Sequence, residues 1–440
     1  MSRAGEERAL GEVVLTVNSP GEVATWLVPV VRALRARAGE GAALTVTVMV
    51  LPCMYAAGTE LTVVRGVPGV DQAFGPRESL LYALSGIGLK TWRPQPRGAV
   101  VYLGGELALA SLIAGRLGYR ALMYTEGRHT PPKRFERIFV PNERARQSMV
   151  QRGADPARVQ VVGDLMVDAA HLDVHGDATQ IRAAWGLNPA RKTVALFPGS
   201  RPYELRRAGR LMVAAAAHML RREPQVQFVL AVAPFHTEAG LRKDLAEFAP
   251  RFTGDPARLF AAEGIGAAPR ERVERFSFET DQGTVPILFV RGGERRVIAA
   301  ADLALTIPGS NTMEMAAHGV PMVVCLPLDH LEEIPIDGVL GLLGGLPLVG
   351  RPLKRAAVKR VLERTRFTAL PNRSAGKMLV PELRSERLSP ADVAEAALRL
   401  LADDARRAAL SQALREVAGP AGASGRVADA ILTTLSEEGG

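Results

Sequence analysis

Two short stretches of the chain have the composition of anion-holding turns. Thr193–Arg201 reads TVALFPGSR and Ala304–Thr312 reads ALTIPGSNT. In each, an apolar run of strand length ends in Pro-Gly-Ser and opens into a segment of helical periodicity. Backbone N–H groups at such a turn, with the positive end of the following helix dipole behind them, attract negative charge. In an open parallel sheet, turns of this kind gather at the carboxyl ends of the strands around one crevice. Two of them point to a phosphate-bearing ligand, most economically a nucleotide diphosphate.

Acid–base chemistry has fewer candidates. Glu106 follows the apolar run Ala99–Leu103 and the pair Gly104-Gly105, so it stands at a strand's carboxyl end where glycines admit a ligand. The strand Ala121–Tyr124 ends in Thr125-Glu126-Gly127-Arg128-His129. Near the start, Glu12–Val17 runs into Asn18-Ser19-Pro20-Gly21-Glu22. Gly21 and Glu22 there either approach a ligand or form a helix N-cap turn. His171 and His175 could share a helical face, but no third ligand lies near, and a linker is the better reading than a metal site. Neither the Gly-x-Gly-x-x-Gly fingerprint nor a Walker A loop is present.

Strand and helix patterns alternate from the first turn onward, which requires an α/β fold with parallel sheets. The chain of 440 residues is too long for one typical core and is comfortable as two domains. We place these at 1–188 and 189–388, with a helical segment over 389–440 opened by Ser389-Pro390-Ala391-Asp392. On the helix after the first Pro-Gly-Ser turn, Leu205, Ala208, Met212, Ala215 and Met219 form a core stripe. The second turn's helix should stop at Gly319 with Pro321 beyond it. Residues 252–281 read as an irregular, charged excursion.

With 47% hydrophobic and 23% charged residues, the composition is that of a folded soluble protein. Two cysteines, Cys53 and Cys325, both in apolar runs, give no disulfide framework and favour a reducing compartment. No secretory signal is expected from the polar first residues. No apolar run approaches the roughly 20 residues of a membrane span. Ser79–Trp92 and Gly338–Gly350 are instead candidates for lying on a membrane surface. The net charge of +9 suits an anionic lipid or substrate. Aromatics are only 5% and are not interleaved with basic residues, which speaks against nucleic acid.

A longer set of motifs extends from Tyr124 to Ala402. It comprises VVGDLMVDA, LFPGSR, AADLAL, PGSNTMEMAAHGVPMVV, then Leu370-Pro371-Asn372, Ala375-Gly376-Lys377 and Val380-Pro381-Glu382-Leu383. In this order, and above all in the last combination, the chain resembles the lipid-A-disaccharide synthase family, membrane-surface glycosyltransferases of GT-B architecture. That resemblance implies two Rossmann-like domains facing a cleft, C-terminal helices, and a UDP-sugar donor held mainly by the second domain. By position, Gly199, Ser200 and Arg201 would contact the diphosphate; Ser310, Asn311 and Thr312 would donate at the second helix start; Glu314 would accept from the ribose; Asn372 and Glu382 would lie near the cleft. It further implies inversion at the anomeric carbon, no cofactor and no metal, and peripheral attachment to the inner face of the cell membrane. An N-acetylglucosamine-type sugar, acylated in the family, would pass to a lipid-linked acceptor, and an oligomer is compatible with this.

The departures from the family pattern cluster on the acceptor side. The family's Ile-Asp-Ala-Pro-Asp-Phe stretch is here Leu103–Ala108, its Ser-Pro-x-x-Trp-Ala-Trp stretch is Thr125–His129, and its early Gly-Glu element is Ser19–Glu22, leaving Gly21, Glu22 and Gly105 as acceptor-side candidates. We rank Glu106 first and Glu126 second as catalytic base, with Glu22 and His129 behind them. A sugar-nucleotide epimerase or hydrolase on the same scaffold is the alternative enzyme. A silent nucleotide-sugar-binding protein at a membrane surface is the alternative outside catalysis.

Overall fold

A computed structural model describes residues 11–39, 43–53, 58–87, 89, 91–127, 133–248, 251–260, 271–328, 358–360 and 364–437. Gly338–Gly350, Lys90, Arg128 and His129 lie outside the described residues. The contacts divide the chain into two compact units. Described residues of the first run to Ala169 and resume at Pro420; those of the second run from Ala170 to Gly419. Both are α/β, the fold class of the GT-B sugar-nucleotide enzymes.

The first unit is built on β1 (Gly11–Val17), β2 (Leu44–Val50), β3 (Gln72–Phe74), β4 (Gly98–Tyr102), β5 (Arg120–Tyr124), β6 (Phe135–Val140) and β7 (Val159–Val161). They form one sheet in the order β3-β2-β1-β4-β5-β6-β7, every pair parallel. Continuous Val-rich runs such as VVLTV can be buried on both faces, and all of β1 is buried. Its one acid, Glu12, is dry but fully engaged: it accepts from Trp92 Nε1 at 2.8 Å and Tyr119 Oη at 2.9 Å. Trp92 is therefore a core residue, edge-on to Tyr82, and the exposed large apolar side chains among the described residues of Ser79–Trp92 are Leu81, Leu84 and Ile87.

The second unit contains β8 (Thr193–Phe197), β9 (Gln227–Val232), β10 (Phe252–Thr253), β11 (Arg272–Thr280), β12 (Gly283–Arg291), β13 (Leu303–Thr306), β14 (Met322–Pro327) and β15 (Glu382–Ser385). Their order is β10-β11-β12-β9-β8-β13-β14-β15. The β10–β11 and β11–β12 pairs are antiparallel and the others parallel. The expected excursion thus includes a nine-residue strand in a hairpin. Arg275 and Glu279 face outward while Phe276 and Phe278, two apart, point into the core against Phe289.

Segment 170–188, which the sequence assigns to the first domain, is held by the second unit. Arg182, on the Ala178–Ala184 helix, donates to Ala300 O at 2.8 Å and pairs with Asp302 at 2.8 Å. His171 lies against His318 with ring centroids 4.7 Å apart. At the other end, the Ala423–Glu437 helix returns to the first unit, where Arg37 pairs with Asp429 and Arg120 with Glu437 at 2.6 Å each. Asp168 receives the N–H groups of Gly422 and Ser424 at 2.6 Å each.

The two sheets share a plan. From β1 the chain moves through β2 to β3, then crosses back to β4 on the other side of β1; from β8 it moves outward through β9, then crosses back to β13. The order reverses between β1 and β4 in one unit and between β8 and β13 in the other. In an open α/β sheet that reversal opens the crevice in which ligands bind.

Candidate functional site in the second unit

Both Pro-Gly-Ser turns stand at the reversal point of the second sheet, one after β8 and one after β13. They touch: a Cβ on Gly199 would lie 2.7 Å from Ile307 Cδ1 and 2.4 Å from Glu204 Oε2, and Gly199 has φ +113. Only glycine serves there, because both the conformation and the space refuse a side chain.

The first turn is organised by Glu204. Its Oε2 accepts the Ser200 N–H at 2.8 Å and the Arg201 N–H at 3.0 Å, while Oε1 accepts from Arg201 Nη1 at 2.6 Å and Tyr203 Oη at 3.2 Å. A helical run of unusual composition follows: Pro202–Glu204, a π-turn at Leu205–Gly209, then the helix Arg210–Arg222. Behind the turn, His236 is 4% exposed and hydrogen-bonds the Gly199 backbone. Burial pushes its pKa down to about 4, so at neutral pH it is an uncharged brace.

At the second turn Ser310 is the N-cap of the Asn311–His318 helix and makes no side-chain cap hydrogen bond. Asn311 Nδ2 donates to Thr306 Oγ1 at 2.7 Å, tying the helix start to the end of β13. Thr312 is fully buried; its hydroxyl donates to Gly309 O at 2.7 Å and accepts the Leu370 N–H at 3.2 Å. Glu314 is 8% exposed and paired with Arg295 at 3.5 Å. Burial raises its pKa and Arg295 opposes the rise.

Asn372 and Glu382 form a clasp behind this turn. Asn372 is fully buried and uses its whole amide: Nδ2 donates to Val380 O and Glu382 Oε1 at 2.8 Å each, and Oδ1 accepts the N–H groups of Leu379 and Val380 at 2.7 and 2.9 Å. Glu382 also accepts from Thr368 N, Thr368 Oγ1 and Ala369 N. Burial works against its charge, but these donors outweigh burial and hold its pKa below the usual range. Through Leu370 and Thr312, the Leu-Pro-Asn and Val-Pro-Glu-Leu motifs support the second turn.

In the first unit, the reversal point holds the other singled-out residues. Glu22 closes a capping box with Ser19, accepting Asn18 N–H at 2.8 Å and Ser19 N–H at 3.3 Å. It lies against Gly104, whose Cβ would be 1.9 Å from Glu22 Oε2. Gly21 sits within that cap, its carbonyl accepting the Thr25 hydroxyl at 2.8 Å. Gly105 has φ +95, and its carbonyl accepts from Tyr102 Oη at 2.9 Å. Glu106 is exposed and begins the Leu107–Leu117 helix without a side-chain cap. Glu126 is half-buried at the end of β5, next to Asp164, which the sequence reading did not single out. Loss of water around Asp164 raises its pKa to about 7, with the negative fields of Glu126 and Asp168 adding to the rise and the Met166 N–H and Tyr124 hydroxyl opposing it.

No family model matches the chain. Among curated proteins, the lipid-A-disaccharide synthase of Anaeromyxobacter dehalogenans strain 2CP-C is 32% identical over 263 residues, covering 59% of this chain and 54% of that protein. The synthase of Geobacter sulfurreducens is 27% identical over 285 residues, 64% of this chain and 58% of that protein. The chain is related to the lipid-A-disaccharide synthases. It matches somewhat over half the length of these curated relatives. Among solved structures, S. aureus MnaA with UDP shares 13% identity at a TM-score of 0.54, covering 97% of each chain. The UDP-GlcNAc 2-epimerase of Neisseria meningitidis bound to UDP-GlcNAc shares 14% at 0.51, covering 97% of this chain and all of that one. These likenesses define the fold. The relationship to the lipid-A-disaccharide synthases is carried by sequence.

Sequence reasoning missed Glu204, His236 and Asp164. Ser19-x-x-Glu22 is a legible capping box, and the longer Ser200-x-x-x-Glu204 could have been found as its echo.

Proposed function

We propose that the protein is an inverting glycosyltransferase that moves a sugar of the N-acetylglucosamine type from a UDP-sugar to a lipid-linked acceptor. The observation that carries this reading is the meeting of two Pro-Gly-Ser turns at the reversal point of the second sheet in a relative of the lipid-A-disaccharide synthases. Gly199, Ser200 and Arg201 bind the diphosphate, joined by Ser310 and the amide end of the Asn311–His318 helix. As the glycosidic bond to the diphosphate breaks, negative charge grows on the departing oxygen; Arg201 and the helix ends stabilise it there. Thr312 positions the second turn, Asn372 and Glu382 hold Thr312's partner strand of chain in place, and Glu314 takes the ribose.

The acceptor hydroxyl must lose a proton as it attacks the anomeric carbon. Glu106 is our first candidate to receive it and Glu126 the second, both in the first unit with Gly21, Glu22 and Gly105. Asp164 joins them because a carboxyl with a pKa of about 7 exchanges protons readily at neutral pH. It also supports the second reading, an epimerase or hydrolase, which needs more acid–base groups and no acceptor.

Attachment to the inner face of the cell membrane belongs to the same proposal. Among the described residues no helix is long and apolar enough to cross a membrane. Leu81, Leu84 and Ile87 are 49%, 59% and 60% exposed, and Leu112 on the neighbouring Leu107–Leu117 helix is 44% exposed. Arg116 of that helix donates to Ala83 O of the Pro76–Ser85 helix at 2.7 Å, joining the two. Basic residues near an anionic surface add about 1 kcal/mol each.

The test is sugar release and transfer from UDP-N-acetylglucosamine and its acylated form, with and without lipid acceptors in anionic vesicles. Transfer that requires the acceptor, and falls about a hundredfold or more in Glu106→Gln, is expected. Sugar isomerisation or hydrolysis without acceptor would instead establish the second reading.

A further inference from the structure

The N–H groups offered to the diphosphate at the first turn already hold an anion belonging to the chain. Glu204 takes Ser200 N, Arg201 N and the Arg201 guanidinium together, with side-chain exposures of 21% for Arg201 and 11% for Glu204. One carboxylate thus neutralises the cation and occupies two main-chain donors of the turn. A diphosphate can take the two main-chain donors only by displacing Glu204; if the carboxylate stays, it and the diphosphate crowd one guanidinium at close range.

The first unit contains the same device in a different setting. Glu22 takes the N–H groups of Asn18 and Ser19, and a π-turn, Val23–Leu27, follows as Leu205–Gly209 follows Glu204. Both carboxylates lie against a glycine, Glu22 against Gly104 and Glu204 against Gly199, but Glu204 is in addition bonded to Arg201, which an incoming phosphate can also use. The π-turn Leu205–Gly209 begins at the residue after Glu204, and π-turns are frequent at functional sites. Tyr203 supplies the remaining hold, its hydroxyl donating to Glu204 Oε1 at 3.2 Å.

We propose that Glu204 is an anionic latch on the donor turn, occupying the diphosphate's donors until the diphosphate displaces it, so that it sets donor affinity from within the site. The latch rests on the donor reading given above and adds its regulation. Glu204 binds no part of the sugar or nucleotide; it positions the turn when closed and withdraws when the donor enters. The cost of its withdrawal is subtracted from the affinity for every ligand that carries the diphosphate, whatever its sugar.

The experiment is calorimetric titration of UDP and of inorganic pyrophosphate into wild type, Glu204→Gln and Tyr203→Phe, with circular dichroism to check folding. Glu204→Gln keeps the side chain's size and removes its charge, and should bind both ligands about tenfold more tightly. Tyr203→Phe keeps the charge but loosens its hold and should tighten binding about twofold to threefold. A turn that merely needs Glu204 for its shape would respond in the opposite direction. Unchanged or weaker UDP binding by a folded Glu204→Gln, with wild type binding UDP, overturns the latch and leaves the donor reading intact. Should Glu204→Gln fail to fold, Tyr203→Phe decides in the same way. No UDP binding by any of the three proteins overturns the donor reading itself.

Discussion

At Gly199 a single methyl group would collide with both the Glu204 carboxylate and Ile307, and the backbone there has φ +113. His236 braces the same residue from behind, and its protonation is therefore coupled to folding. Its folded pKa of about 4 lies below the ordinary 6.5, so as pH falls the unfolded chain takes up a proton first. Stability from neutral His236 is complete above about pH 6.5 and is lost as pH falls from there toward 4, by roughly 3 kcal/mol in all. Denaturant titrations at pH 7 and pH 5 should show about 2 kcal/mol of this loss in wild type and a smaller one in His236→Gln; equal losses would contradict the assignment. The glycine and the arginine of this turn were legible in the sequence because each type has few reasons to follow a strand in that position. Glu204 and His236 were not, since one acts by reaching back along the chain and the other comes from the end of β9.

The strands were the most legible elements, because a buried parallel strand reads as a short Val-rich run between turns. The runs Glu12–Val17, Ala99–Leu103 and Ala121–Tyr124, and the one that opens Thr193–Arg201, stand within a residue of the strands β1, β4, β5 and β8. The core stripe from Leu205 to Met219 is buried as its spacing requires, and the second turn's helix ends at Gly319 in the left-handed conformation. β11 escaped notice because charged residues stand on both of its faces and only Phe276 and Phe278 mark its buried side. The clasp explains why Leu-Pro-Asn and Val-Pro-Glu-Leu occur together with Pro-Gly-Ser-Asn-Thr: they are three parts of one hydrogen-bonded support. Asn372→Ala leaves the Glu382 carboxylate and two backbone N–H groups short of a partner in a dry setting. It should cost about 2–4 kcal/mol, read as a lower thermal midpoint, with UDP binding weakened along with it. A midpoint within a degree of wild type would show that the clasp is dispensable.

On the scale of the whole molecule, each unit repeats a strand, a carboxylate-capped turn, a π-turn and a helix at the reversal point of its sheet. The alternation of elements made that two-unit plan legible. The limits of the units were not, because they depend on single side chains: Arg182 fastens 178–184 to the second unit, and Arg37, Arg120 and Asp168 bring the last helix to the first. A chain ended at Gly419 should therefore show faster hydrogen exchange in β4 and β5 of the first unit and unchanged exchange in β8 and β13 of the second. Uniform loss of protection in both units would contradict this division of labour.

The central claim is that the two Pro-Gly-Ser turns bind the diphosphate of a UDP-sugar, and the most direct measurement is a titration of UDP and its common sugar conjugates into wild type and Arg201→Ala. The account predicts binding selective for uridine diphosphates and at least about tenfold weaker in the variant, the loss of one charge-assisted contact to phosphate. Failure of the wild type to bind any nucleotide, or equal binding by Arg201→Ala, would contradict it.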